Sequence, residues 1–246
     1  MKNQSWSAHQ DNIPLAQPAI DSPCSLPALQ TAAKRIQECH RLLDKAGLNI
    51  VGELLRGQGT FYEMSHYPAD DVYDTQTHSQ YYYHNHRGLN NEHGHFHTFL
   101  RAPSIPDNIQ PMQGFMRSDP WPLGADALAH FIGISMDGNG LAIGFFATNR
   151  WVTAQTWYSA EDTIALLDRF FIDHAYPNLV VNQWLNAMFV LFRPHIEALL
   201  RHRDKVIAAT SLAAPEIDVL EDRALEITGS YTITLDQRIE QISGLS

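Results

Sequence analysis

The sequence is poor in cysteine and in basic charge. Its two cysteines, Cys24 and Cys39, stand fifteen residues apart with no CxxC spacing. That excludes a disulfide framework, and reduced thiols in a cytoplasmic protein are the expectation. Lys and Arg number 17 against 27 Asp and Glu, a net charge of −10. Duplex nucleic acid and anionic membranes both recruit positive charge, so neither is an expected partner. No apolar run is long enough to cross a bilayer. The best, "LVVNQWLNAMFVLF", is broken by Asn182, Gln183 and Asn186 and falls short of the ~20 residues a span needs. The start, "MKNQSWSAHQDNIPLAQPAI", lacks the apolar core of a secretory signal. Also missing are GxSxG, HExxH and a glycine-rich phosphate loop.

What is present is a 246-residue chain, 44% hydrophobic, enough for one sizeable core. Residues 1–25 are polar and carry Pro14, Pro18 and Pro23, and read as a flexible arm. Residues 26–246 read as a single globular domain. From Leu26 to about Arg56 the apolar residues fall near helical spacing. Ser25 is the expected N-cap, Pro27 sits in the first turn, and Gly47 is the break between two helices. An aromatic stretch around 60–87 predicts a strand, a loop and a second strand. Five prolines make 102–125 irregular, a candidate lid. "ALAHFIGISMDGNGLAIGFFATN" predicts a hairpin turning at Asp137–Gly140. "RWVTAQTWY" predicts one more strand. Thereafter the pattern is mostly helical, with a capping box at "SAED" (Ser159–Asp162) and a buried helix over 178–192. The tail predicts a helix, a short extended piece and a last helix capped by Asp236. Helices, then antiparallel strands, then helices predict an α+β fold with a sheet of about four to six strands.

The chemistry concentrates in "HNHRGLNNEHGHFHTFLR", with five histidines between His84 and His97. If "GLNN" is the turn, Arg87 faces Glu92, His86 faces His93, His84 faces His95 and Tyr82 faces His97. Directly opposed residues share a face, so His84, His86, His93, His95 and His97 lie on one side. Tyr81, Tyr83, Phe96 and Leu100 lie on the other, as a core would need. A one-residue slip would split the histidines and place two of them on the Phe96 face. Opposed Cβ atoms are ~4.5–5.5 Å apart, close enough for several imidazoles to meet one ion at ~2.0–2.1 Å. One divalent transition metal, zinc or iron foremost, is the implied cofactor.

Around this face, Tyr82 and Arg101 are candidates to donate a proton to a substrate or to orient it. Glu92 is expected to pair with Arg87 rather than ligate. His130 aligns with Ile132, Ile134 and Met136 and is expected as a core histidine. Asp70, Asp71 and Asp74 offer oxygen ligands of undefined register. Trp151 and Trp157 are expected in the core.

Two resemblances follow from these motifs. "EHGHFHTFLR", "NRWVTAQTW", "WLNAMFVLFRP", "RHRDK" and "LEDRALEI" together look like a family of bacterial proteins of unknown function. The likeness runs from about Tyr62 to Ile239 and implies a single-domain layout without naming an activity. Locally, His93-Gly94-His95-Phe96-His97 is similar to the motif of the histidine-triad nucleotide hydrolases, which would make His95 the nucleophile. Gly94 and Thr98 depart from the apolar residues that family places there.

The leading expectation is a metalloprotein, and in its enzymatic form one acting on a small polar molecule. A non-catalytic metal sensor or carrier and a histidine-triad-like hydrolase are the alternatives. No sequence pattern speaks to oligomeric state.

Overall fold

The computed structural model of the chain describes residues 23–89 and 91–245. All but the end of the expected arm, and Asn90 of the expected turn, lie outside them.

Ser25 opens the first helix, α1 (Leu26–Asp44), by accepting from the Ala28 amide, with Pro27 in the first turn. Leu29, Ala33, Ile36 and Leu43 make its buried stripe. The chain reverses at Gly47, whose φ of 67° is the left-handed region that favours glycine. Asn49 then caps α2 (Ile50–Leu55). Six strands follow in a simple antiparallel meander: β1 (Tyr67–Tyr73), β2 (Ser79–His84), β3 (Gly94–Arg101), β4 (Leu128–Met136), β5 (Ala142–Thr148) and, after the next helices, β6 (Ile227–Thr232). Between β5 and β6 lie α3 (Arg150–Thr153), α4 (Ala160–Leu166), α5 (Leu179–Leu191) and α6 (Arg193–Ala213), and α7 (Leu235–Ser243) ends the fold. The architecture is α+β.

One sheet face is the core. Phe96 packs on Trp184 of α5, Phe131 on Phe189, and Phe145 on Phe192. Tyr81 donates to Asn182 Oδ1 at 2.6 Å, so the asparagine that interrupts the apolar run satisfies a buried phenol. Trp121, Trp157, Ile207, Val219 and Leu220 form a second, smaller cluster. That cluster holds down the proline-rich segment expected to be a lid.

Three local expectations are corrected. "RWVTAQTWY" is not a strand: Asn149 Oδ1 accepts from the Arg150 amide and starts the short α3. The buried Arg150 guanidinium is fixed by Glu221 and Asp119, so tertiary ion pairs override the β-propensity of Val152 and Thr153. The helix expected first in the tail is a single 3-10 turn at Val219–Glu221. The last helix is capped at Thr234, not Asp236.

The face opposite the core carries the histidines, and a glycine makes room there. Gly133 pairs with His97 across β3–β4 and with Phe146 across β4–β5. A Cβ at Gly133 would fall 2.1 Å from the Phe146 ring. Phe146 therefore lies across the glycine and against His95 and His97. Gly133→Ala is expected to lower stability by about 1–3 kcal/mol by overpacking, read as a lower urea midpoint. Gly138→Ala, where a Cβ meets nothing within 4 Å, should melt close to the parent. Equal midpoints for Gly133→Ala and the parent would refute this packing.

Candidate metal centre

The β2–β3 register is the one the sequence implies: Tyr82 pairs with His97 and His84 with His95. The connection is longer than a tight turn, since β2 ends at His84 and β3 begins at Gly94. Arg87 still reaches Glu92, at 3.1 Å.

His84, His86, His95 and His97 converge, each offering one ring nitrogen within 4.8 Å of the others. Neighbouring ring centroids are 4.6–5.1 Å apart. His84, His95 and His97 are buried, and His86 is half-buried at the edge. This cluster can hold a metal ion. Four nitrogens at ~2.0–2.1 Å from one tetrahedral ion would lie ~3.3 Å apart, a modest contraction from the present spacing.

Nitrogens without partners gather in this cluster. His95 Nε2, His97 Nε2 and both ring nitrogens of His84 are buried with no hydrogen-bond partner. The outward nitrogens are held. His95 Nδ1 lies 2.8 Å from Glu92 Oε1. His97 Nδ1 lies 2.9 Å from His130 Nε2, and His130 Nδ1 lies 3.5 Å from Thr148 Oγ1. With protons on the two Nδ1 atoms, donated to Glu92 and His130, both Nε2 lone pairs point at the shared centre. This is the support that orients metal-ligating histidines. Burial first, and the mutual repulsion the crowded imidazoles would suffer on protonation second, with Arg87 adding to it at His95, hold His84, His95 and His97 below the usual histidine range. They are neutral at pH 7, the form in which an imidazole can ligate a metal.

The other expected residues divide. His93 does not join: it leaves the sheet before Gly94, its Nδ1 meets Tyr83 Oη at 2.9 Å, and its ring stacks on Phe61. A Cβ at position 94 would fall 2.6 Å from the His84 carbonyl, so the strands touch where His93 departs. The His93–His95–His97 run is therefore not one constellation. His130 is on the histidine face, not the core stripe. β4 carries an extra residue between the Gly133 and His130 pairings, and this bulge inverts its direction. Tyr82 lies on the same face, stacked on His66 at 3.6 Å and edge-on to His84. Arg101 sits at the far end of that face, donating to Gln80 Oε1 at 2.5 Å. Asp71 binds His66 and Gln80, Asp74 caps the turn after β1, and Asp70 is exposed. Trp157 is core, but Trp151 is half-buried.

The centre opens on a cleft of about 710 Å³ lined by His84, His86, Arg87, Trp151, Glu226 and Ile227, among others. Neither Tyr82, Arg101 nor the 102–125 segment borders it. Arg87 does, with its guanidinium 4.1 Å above Phe146 and its Nη1 on Glu92 and Ser135. Glu226 stands across the cleft, 3.7 Å from His86 Nδ1, its carboxyl raised by burial. Pairing of Arg87 with Glu92 was legible; its place in the cleft was not, because α3 and the start of β6 come from over sixty residues away.

Residues 30–233 match the family described as Domain of unknown function (DUF6969). The chain belongs to that family. No curated protein and no solved structure matches it. The family covers both histidine strands, the cleft and β6, so the whole centre lies inside the matched region. Among the described residues no helix is long and apolar enough to cross a membrane.

If Glu92 and His130 orient ligands, removing them weakens metal binding without unfolding the protein. Glu92→Gln and His130→Phe should each cost about 10–100-fold in affinity, measured by competition with a chromophoric chelator. His93→Gln should leave affinity unchanged. A loss at His93 equal to that at His95 would return it to the ligand set.

Proposed function

We propose that the protein is a metal-dependent enzyme acting on a small polar substrate bound in the cleft beside His84 and His86. The observation that carries this reading is the cleft at the centre's edge. A storage or carrier site has reason to close around its ion, whereas a catalytic one keeps a position open. His84, His95 and His97 would hold one divalent first-row ion, zinc or iron, from the buried side. His86 would complete the set at the mouth. When bound, the ion supplies Lewis-acid or redox chemistry to the substrate.

The chain's own residues account for the rest. Arg87 is held flat against Phe146 by Glu92 and Ser135 and presents a fixed cation to an anionic substrate group, a role the sequence had suggested for Arg101. Trp151, Leu89 and Ile227 exclude water along the cleft wall. Glu226 would keep His86 turned toward the centre. Tyr82 backs the rings of His84 and His97 rather than meeting substrate. The low cysteine count, two in 246 residues with no CxxC spacing, supports a reducing compartment, the cytoplasm.

Cobalt-substituted protein tests the open position. Adding acetate, oxalate or azide should change the visible d–d spectrum, and Arg87→Met should weaken the response to the carboxylates more than to azide. A spectrum indifferent to every added ligand would mean a closed site and a sensor or carrier.

A further inference from the structure

A second cavity, sharing no lining residue with the cleft at the histidine cluster, lies at the end of β6. Phe192 and His195 at the start of α6 face Tyr231 and Thr232 of β6 and Thr234, Gln237 and Arg238 at the start of α7 around a cavity of about 70 Å³. Three features fit it to an anion. Arg238 is 5% exposed, yet among the described residues no carboxylate pairs with it. Its Nε donates to the Leu191 carbonyl at 3.1 Å, and among the described residues no other side-chain hydrogen bond engages its fork of donors. A buried arginine without a counter-charge is rare, because desolvating the cation is uncompensated. His195 is 6% exposed, and its Nδ1 has no partner. Finally, α6 and α7 both begin here without a side-chain cap. At α6 Pro194 has no N–H and the His195 and Ile196 amides bond the Phe192 carbonyl, so it is the first-turn amides and positive dipole end of α7 that face the small space. Asp236, the acidic residue in the first turn of α7, is exposed, and its charge acts on His40 of α1 rather than on Arg238.

We propose that the cavity between the N-termini of α6 and α7 binds a single small oxyanion of the phosphate or sulfate kind, held by Arg238 and His195. Its size admits an inorganic ion or one terminal group and excludes a cofactor. The anion neutralises Arg238, accepts from His195 and the open amides, and ties α7 to β6.

The test is calorimetric titration of the full-length protein with inorganic phosphate, with sulfate and chloride at matched ionic strength. Phosphate or sulfate should bind at one equivalent and raise the melting midpoint, and chloride should not. Arg238→Gln should weaken binding by at least about tenfold. Because that variant could fold poorly, Thr234→Asp is the second arm. It places a carboxylate at the helix cap, and should keep or raise stability while abolishing the phosphate response. The His84→Ala/His95→Ala double variant should bind phosphate like the parent. No saturable phosphate or sulfate binding by the parent overturns the proposal. So does binding that survives both Arg238→Gln and Thr234→Asp, or that disappears in the histidine double variant, since the ion would then sit at the metal centre.

Discussion

The constraint on which the histidine face depends is the cost of burying imidazole nitrogens that meet nothing. An unsatisfied buried donor or acceptor costs roughly 1–3 kcal/mol, and His84, His95 and His97 together leave four such nitrogens. A fold tolerates that when something else repays it. Here one nitrogen each of His84, His95 and His97 can turn to a shared centre, while Glu92 and His130 hold the outer nitrogens of His95 and His97. An ordinary polar patch would show the reverse, with nitrogens turned to neighbours or water. A common ion takes one nitrogen from each ring and so satisfies three of the four at once.

The sheet is arranged around that demand. Gly133 lets Phe146 lie flat, and Phe146 in turn packs His95 and His97 from one side and carries Arg87 on the other. The bulge in β4 turns His130 toward His97. Core packing on α5 and α6 stiffens the opposite face of the same strands. β6 completes the cleft through Glu226, just before its start, and borders the small anion-fitting cavity at its other end. The strand thus joins two electrostatically unfinished places.

Much of this was readable in the residues. Strand alternation gives the pairing of His84 with His95 and of Tyr82 with His97, because only that register buries Tyr81, Tyr83 and Phe96 together. Caps at Ser25 and Ser159 and the turn at Asp137–Gly140 follow from local chemistry. What failed to show depends on tertiary structure. A bulge cannot be seen in "ALAHFIGISM", so His130 was given to the core. The hairpin connection is longer than a tight turn, so His93 was kept with the ligands. The strand expected at "RWVTAQTWY" was lost to ion pairs that Arg150 makes with residues far along the chain. Arg87 was recognised only as a partner for Glu92, because the cleft it enters is walled by α3 and β6.

The most direct test of the central claim is elemental analysis of untagged protein beside the His84→Ala/His95→Ala double variant. One equivalent of a first-row transition metal in the parent and none in the double variant is the predicted result. A parent that holds no metal, even after exposure to zinc, iron, copper and nickel, would contradict the account and leave the four histidines as a buried polar cluster without an ion.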